Sequence, residues 1–133
     1  VSTAQGFLAV AAGGAAGALA RFGVSIAADS MGIASAWATL AVNIVGCLLM
    51  GLLVAAVIAN PARRALWQPL LGVGLLGGFT TFSAFAGDAV MLLDEGALAA
   101  ATAYMLATLA GGMLALRAGV IVGERLRGPR GEA

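Results

Sequence analysis

The stretch from Gly72 to Asp88, G-V-G-L-L-G-G-F-T-T-F-S-A-F-A-G-D, sits inside a long apolar segment and makes a poor membrane helix. Each glycine weakens a helix by about 1 kcal/mol relative to alanine, and adjacent threonines, closely spaced phenylalanines and a carboxylate follow the paired Gly77 and Gly78. Non-helical backbone and polar groups persist at membrane depth only where protein or a water-filled cavity covers them. The stretch therefore predicts a broken helix that lines a site.

That reading requires a membrane, and the composition supplies the reason for one. The chain has 133 residues, 62% of them hydrophobic and 10% charged, with a mean hydropathy of +1.04, too apolar for an ordinary soluble domain. Four apolar runs approach or exceed the roughly 20 residues that cross a bilayer, at about 5–28, 35–59, 69–93 and 97–117 or slightly beyond. The expectation is an all-α integral membrane protein with one domain over 1–123 and a disordered polar tail over 124–133. The first run lacks a basic leading region and is read as a permanent span. The midpoint of the third span falls within a residue or two of Thr80, which puts its break near the bilayer midplane.

A lone Cys47 excludes an intrachain disulfide, and the absence of histidine removes most zinc, haem and His-based acid–base chemistry. No nucleotide motif or nucleophile–base pair is visible, so an enzyme is not expected, nor is a nucleic-acid partner. The informative residues are polar groups within the spans. Arg21 lies in the last two turns of the first, where a guanidinium either snorkels to the interface or faces an aqueous vestibule. Thr39, Asn43 and Cys47 recur at four-residue spacing and share a face of the second. Asn43 near mid-membrane is either a functional group or interhelical glue, whereas Cys47 reads as packing. In the fourth span Ala103, Ala107, Gly111, Ala115, Gly119 and Gly123 lie four apart as a seam for close helix contact. Tyr104 and Thr108 form a neighbouring hydroxyl line, or else bond carbonyls one turn back.

Beyond the break, Phe82, Phe85 and Asp88 recur every three residues on one helix face. A phenyl ring has a positive edge, so ring edges together with the hydroxyls of Thr80, Thr81 and Ser83 and the Asn43 amide suit a small hard anion. A helix break also frees carbonyls, here over Gly77 to Thr80, and such carbonyls coordinate hard cations. Four spans are few to enclose a pathway, so oligomerisation is expected. In an antiparallel pair, midplane breaks would meet on the two-fold axis.

Three stretches carry a resemblance. G-G-A-A-G-A-L-A-R-F at 13–22, T-L-A-V-N-I-V-G at 39–46 and G-L-L-G-G-F-T-T-F-S-A-F at 74–85 are similar to the signature stretches of the Fluc (CrcB) fluoride channels. The resemblance spans essentially the whole chain, and the T-T-F-S-x-F stretch after paired glycines is its specific part. It implies an antiparallel, dual-topology dimer in a prokaryotic plasma or inner membrane, with fluoride pores and a central structural sodium. By that likeness Phe82 and Phe85 match the phenylalanine box and Asn43 the pore asparagine. Gly77 and Thr80 match the sodium-ligating carbonyls, and Arg21 the vestibule arginine. Thr39, Tyr104 and Thr108, with Ser83 and Asp88, fall along the fluoride pathway. Three positions depart from the family pattern: Asp88 stands where glutamate is common, Gly112 where a serine often extends the polar track, and Ala84 where a hydroxyl is frequent.

Charge placement gives a second expectation. Arg63, Arg64, Arg125, Arg127 and Arg130 fall on the side of the termini, with Arg117 at the membrane edge. Arg21 lies opposite, beside Asp29, Asp94 and Glu95. The positive-inside rule then favours cytoplasmic termini, whereas a dual-topology homodimer wants balanced arginines. A heterodimer with an oppositely biased paralogue is therefore the alternative to a homodimer. Two other functions fit the size: a small proton-coupled multidrug exporter, which needs a membrane carboxylate that the first span lacks, and a non-transporting assembly subunit, which has no use for Asn43 and a broken third span.

Overall fold

A computed structural model describes residues 2–58 and 60–127, without the side chains of Ile58 and Ala62. Its described residues are helical and contain no strand. Helix α1 is Thr3–Ser30. Helix α2, Ser35–Leu53, is prolonged by a wider π-helical turn, Val54–Ile58. Helix α3, Pro61–Trp67, runs through a π-helical stretch, Gln68–Leu76, into the short α4, Gly77–Phe79; α5 is Phe82–Asp94 and α6 is Leu98–Arg127. Among the described residues, four segments are long and apolar enough to cross a membrane: Thr3–Ser30, Ser35–Val57, Arg63–Asp94 and Leu98–Arg127.

Local chemistry sets the ends of these segments. Ser2 and Gln5 close a reciprocal capping box at the start of α1. Gly32 (φ 68°) and Gly96 (φ 74°) end α1 and α5 in the left-handed conformation that side chains disfavour. At each end the following amide reaches back to the last turn, Ile33 N to Ala28 O and Ala97 N to Leu92 O, which satisfies carbonyls that the helix leaves unpaired.

Two boundaries correct the sequence reading. Pro61 to Arg64 were expected in a connection but begin the third helical segment. Proline fits a first helical position because no donor is needed there, and the amides of Arg63 and Arg64 close on the Asn60 carbonyl. The polar tail was expected to be disordered from Glu124, yet α6 continues to Arg127, whose Nη1 donates to the Ala55 carbonyl at 2.8 Å. Residues 128–133, Arg130 among them, lie outside the described residues.

The spans pack as two close pairs, α1 with the third segment and α2 with α6. Apolar burial gives helices no preference for each other over lipid, so contact relies on close backbone approach. A Cβ on Gly74 would stand 2.8 Å from the Val10 carbonyl oxygen and 3.0 Å from the Gly13 Cα, and one on Gly17 would overlap the Leu75 carbonyl. In the other pair, a Cβ on Gly119 would lie 3.1 Å from the Gly51 Cα. The seam expected along α6 is only partly the contact line. Gly119 and Gly123 are buried, but Ala103 and Ala107 are exposed, and the buried line farther up runs through Ala101, Tyr104 and Gly112. A four-residue repeat advances roughly 40° more than a full turn at each step, so a stripe of that length winds away from a straight neighbour.

Candidate functional site

The third segment changes conformation where glycine and threonine meet. Thr80 (φ −74°, ψ 157°) and Thr81 (φ −148°, ψ 125°) are extended between the last residue of α4 and the first of α5. The Thr80 amide keeps its helical bond to the Leu76 carbonyl at 2.9 Å, but the amide and carbonyl of Thr81 need other partners. Asn43 on α2 supplies them: its Nδ2 donates to the Thr81 carbonyl at 3.0 Å, and the Thr81 amide donates to Asn43 Oδ1 at 2.9 Å. The side-chain amide thus pairs with one backbone unit in both directions. An Asn Nδ2 carries two N–H groups; the second has no protein acceptor among the described residues and remains for a ligand.

The same bonds redirect donors away from particular carbonyls. In a continuous helix the Thr81 amide would pair with Gly77 O, but it goes to Asn43. The Ala84 amide would pair with Thr80 O, but it donates to Thr81 Oγ1 at 3.2 Å, which makes Thr81 the N-cap of α5. Gly78 O is taken instead by Arg21 Nε at 3.3 Å. Gly77 O and Thr80 O are therefore the carbonyls of this turn whose helical donors are used elsewhere. As neutral, hard oxygen donors they suit an alkali cation, provided that more ligands come from outside the chain.

On the other side of the break a groove of about 350 Å³ opens along α2, α5 and α6. Asn43, Cys47, Thr81, Phe82, Phe85 and Thr108 line it, with Gly112 farther along. Phe82, one of these lining residues, is 78% exposed. Its ring centroid is 5.6 Å from that of Phe85, and the Phe85 ring is 5.5 Å from that of Tyr104. The aromatic line leads to a buried polar cluster in which Tyr104 Oη donates to Asp88 Oδ2 at 3.2 Å, with the Thr39 hydroxyl as a second polar partner of the phenol. Thr39 and Asp88 are each 7% exposed. Apolar walls, ring edges and neutral donors are favourable to a small anion shed of part of its water.

The sequence-predicted residues thus fall into three places. Asn43, Phe82, Phe85 and Thr108 share the groove, and Thr39, Asp88 and Tyr104 form the adjoining buried cluster. Arg21, Gly77 and Thr80 gather at the break, with Arg21 half-buried and bonded to backbone. Ser83 is exposed and meets Thr81 Oγ1 at 3.1 Å. The Thr108 hydroxyl donates to the Tyr104 carbonyl at 2.9 Å, the local bond that had been the alternative to a path-facing role. Thr81 was undervalued as one more hydroxyl. Its place three residues before Ala84, at the restart of an apolar run, is a helix-start signal that could have marked it.

Comparison with known proteins adds an independent observation. Residues 8–120 match the family described as CrcB-like protein, Camphor Resistance (CrcB). The chain is 48% identical over 120 residues to the fluoride-specific ion channel FluC of Paracoccus denitrificans (strain Pd 1222), covering 90% of this chain and 95% of that one. It is 46% identical over 112 residues to the FluC of Chelativorans sp. (strain BNC1), covering 84% and 90%. With the FluC of Phenylobacterium zucineum (strain HLK1) it shares 41% over 124 residues, covering 92% and 98%.

Proposed function

The chain belongs to the CrcB family of fluoride channels, and from that premise we propose that it forms a fluoride-selective channel that exports the ion passively from the cytoplasm across a prokaryotic plasma or inner membrane. The observation that carries the reading is the groove shared by Asn43, Phe82, Phe85 and Thr108, continuous through the Phe85 and Tyr104 rings with the Thr39–Asp88–Tyr104 cluster. Fluoride gives up tightly held water only where donors replace it. The spare Asn43 N–H and the edges of Phe82 and Phe85 are those donors, and the Tyr104 hydroxyl, fixed by Asp88, stands next along the path. An inside-negative potential contributes about 2.3 kcal/mol per 100 mV toward expelling an anion, so no energy-coupling site is needed.

The working unit in this proposal is an antiparallel dimer. With the break of the third segment near the bilayer midplane, two copies related by a two-fold axis bring together Gly77 O and Thr80 O from each. That set suits a structural sodium, whose charge would hold the two breaks against each other. The redirected Thr81 and Ala84 amides support this assignment, because they leave these two carbonyls without their helical donors. Arg21, bonded to Gly78 O, would stiffen the same turn from the side of the vestibule.

Fluoride and chloride efflux from liposomes that hold the purified chain alone tests the proposal. Fluoride efflux without chloride efflux is expected; proton-linked release of an organic cation in place of fluoride would sink it. Charge placement favours a second reading of the assembly, a heterodimer. Arg127 reaches the Ala55 carbonyl, and so lies at the same end as Arg63 and Arg64, opposite Asp29, Asp94 and Glu95. A fixed orientation predicts that a C-terminal tag is accessible to protease from one side of the membrane, and that flux requires the paralogue. Equal access from both sides supports the homodimer.

A further inference from the structure

At the end of the bundle away from Asp29 and Asp94, a cavity of about 350 Å³ lies between the end of α2, the start of α3 and the last turn of α6. Ala56, Asn60, Pro61, Arg63 and Arg127 line it. Two arginines from different spans therefore line one small space, and no carboxylate lines it among the described residues. Like charges held together repel unless an anion lies between them.

Arg127 is held in place by an unusual backbone. Arg127 Nη1 donates at 2.8 Å to the Ala55 carbonyl, which belongs to the wider turn Val54–Ile58 at the end of α2. A guanidinium carries five N–H donors in a rigid fork, so one bond fixes its direction and leaves donors for a ligand. Arg63 is exposed on α3, a short helix that also carries the exposed Leu66 and Trp67. Arginine beside tryptophan at the start of a span is the composition of a membrane–water interface. The cavity thus sits at headgroup depth, with the exposed Leu66 and Trp67 about one turn of α3 beyond Arg63 for acyl chains.

We infer that this cavity binds the phosphodiester headgroup of an anionic membrane lipid, clamped between Arg63 and Arg127. Paired guanidiniums suit phosphate oxygens better than a spherical halide, because their planar forks each meet two oxygens at once. The site is separate from the fluoride groove and does not depend on the proposed conduction.

Native mass spectrometry of the purified full chain, mixed with equal amounts of phosphatidylglycerol and phosphatidylcholine, tests the inference. Phosphatidylglycerol should be retained in preference. Arg63→Gln should reduce that preference roughly fivefold, the worth of one arginine near a lipid surface. Arg117→Gln removes the same charge from an exposed position of α6 outside the cavity, and should leave the preference unchanged. Equal retention of the two lipids overturns the inference, as does an Arg117→Gln effect as large as that of Arg63→Gln. Displacement of phosphatidylglycerol by millimolar inorganic phosphate at wild-type Arg63 would also overturn it, since the site would then hold free phosphate rather than lipid. Arg63 makes no fold-defining side-chain bond in the described structure, so loss of folding is not expected to mask the result, and fluoride efflux measured on the same variant reports separately on the channel.

Discussion

Asn43 and Thr81 form a two-way pair in which a side-chain amide does the work of a neighbouring strand, Nδ2 to O at 3.0 Å and N to Oδ1 at 2.9 Å. The pair holds the extended residue and, by occupying the Thr81 amide, withholds a donor from Gly77 O. Asn43→Asp keeps the shape and one acceptor but puts an oxygen where Nδ2 donates. The half-buried Thr81 carbonyl then lacks its donor, a loss of about 1–3 kcal/mol, and the groove gains a carboxylate. Fluoride efflux should disappear and the thermal midpoint in detergent should fall. An unchanged midpoint would show that Asn43 does not hold the break.

Phe82 separates transport from stability. Its side chain is 78% exposed within one chain, so little packing is lost when it is replaced. Phe82→Ile keeps apolar bulk and removes the polarised ring edge. Efflux should fall at least tenfold, while the thermal midpoint and the elution volume of the assembly stay at wild-type values. Wild-type rates in this variant would remove the ring-edge proposal.

The buried Tyr104–Asp88 bond makes the opposite prediction, because here stability and transport should change together. Tyr104→Phe removes the donor to Asp88 Oδ2 and leaves a 7%-exposed carboxyl with one partner fewer, which costs about 1–3 kcal/mol. The double variant Tyr104→Phe with Asp88→Leu removes both members of the pair. It should recover much of the midpoint but not the fluoride efflux. Recovery of efflux as well would assign the pair a purely structural role.

Much of this architecture was legible in the residues, for reasons that also explain the rest. Four apolar runs of spanning length gave the helices, since a bilayer leaves few alternatives to helix for a long apolar segment. Gly77, Gly78, Thr80 and Thr81 marked a weak point because propensity and polarity agreed there. The pairing of Asn43 with Thr81 was not legible, because it joins residues 38 apart in sequence and depends on how α2 crosses the third segment. The α6 seam was misread in its upper half for a geometric reason: a four-residue repeat drifts around the helix, and only packing decides where contact is lost. Arg127 was assigned to a tail because a polar run beyond a span carries no sign of the Ala55 carbonyl waiting one span away.

The glycine contacts between α1 and the third segment yield the sharpest stability test. A Cβ on Gly17 would meet the Leu75 carbonyl and come within 2.8 Å of the Phe79 amide, both backbone atoms that cannot turn aside. Gly17→Ala must therefore push α1 away from the segment that carries the break, and overpacking of this kind costs about 1–3 kcal/mol. Gly87 on α5 has nothing within 4 Å of its would-be Cβ, so Gly87→Ala gains helix propensity of up to about 1 kcal/mol without a clash. Thermal unfolding in detergent should show the two alanines moving the midpoint in opposite directions, Gly17→Ala down and Gly87→Ala up. Efflux should be reduced in Gly17→Ala, because the displaced segment positions Phe82 and the Gly77 and Thr80 carbonyls. Equal midpoints for the two variants would mean that the α1 crossing is looser than the backbone contacts at Gly17 and Gly74 require.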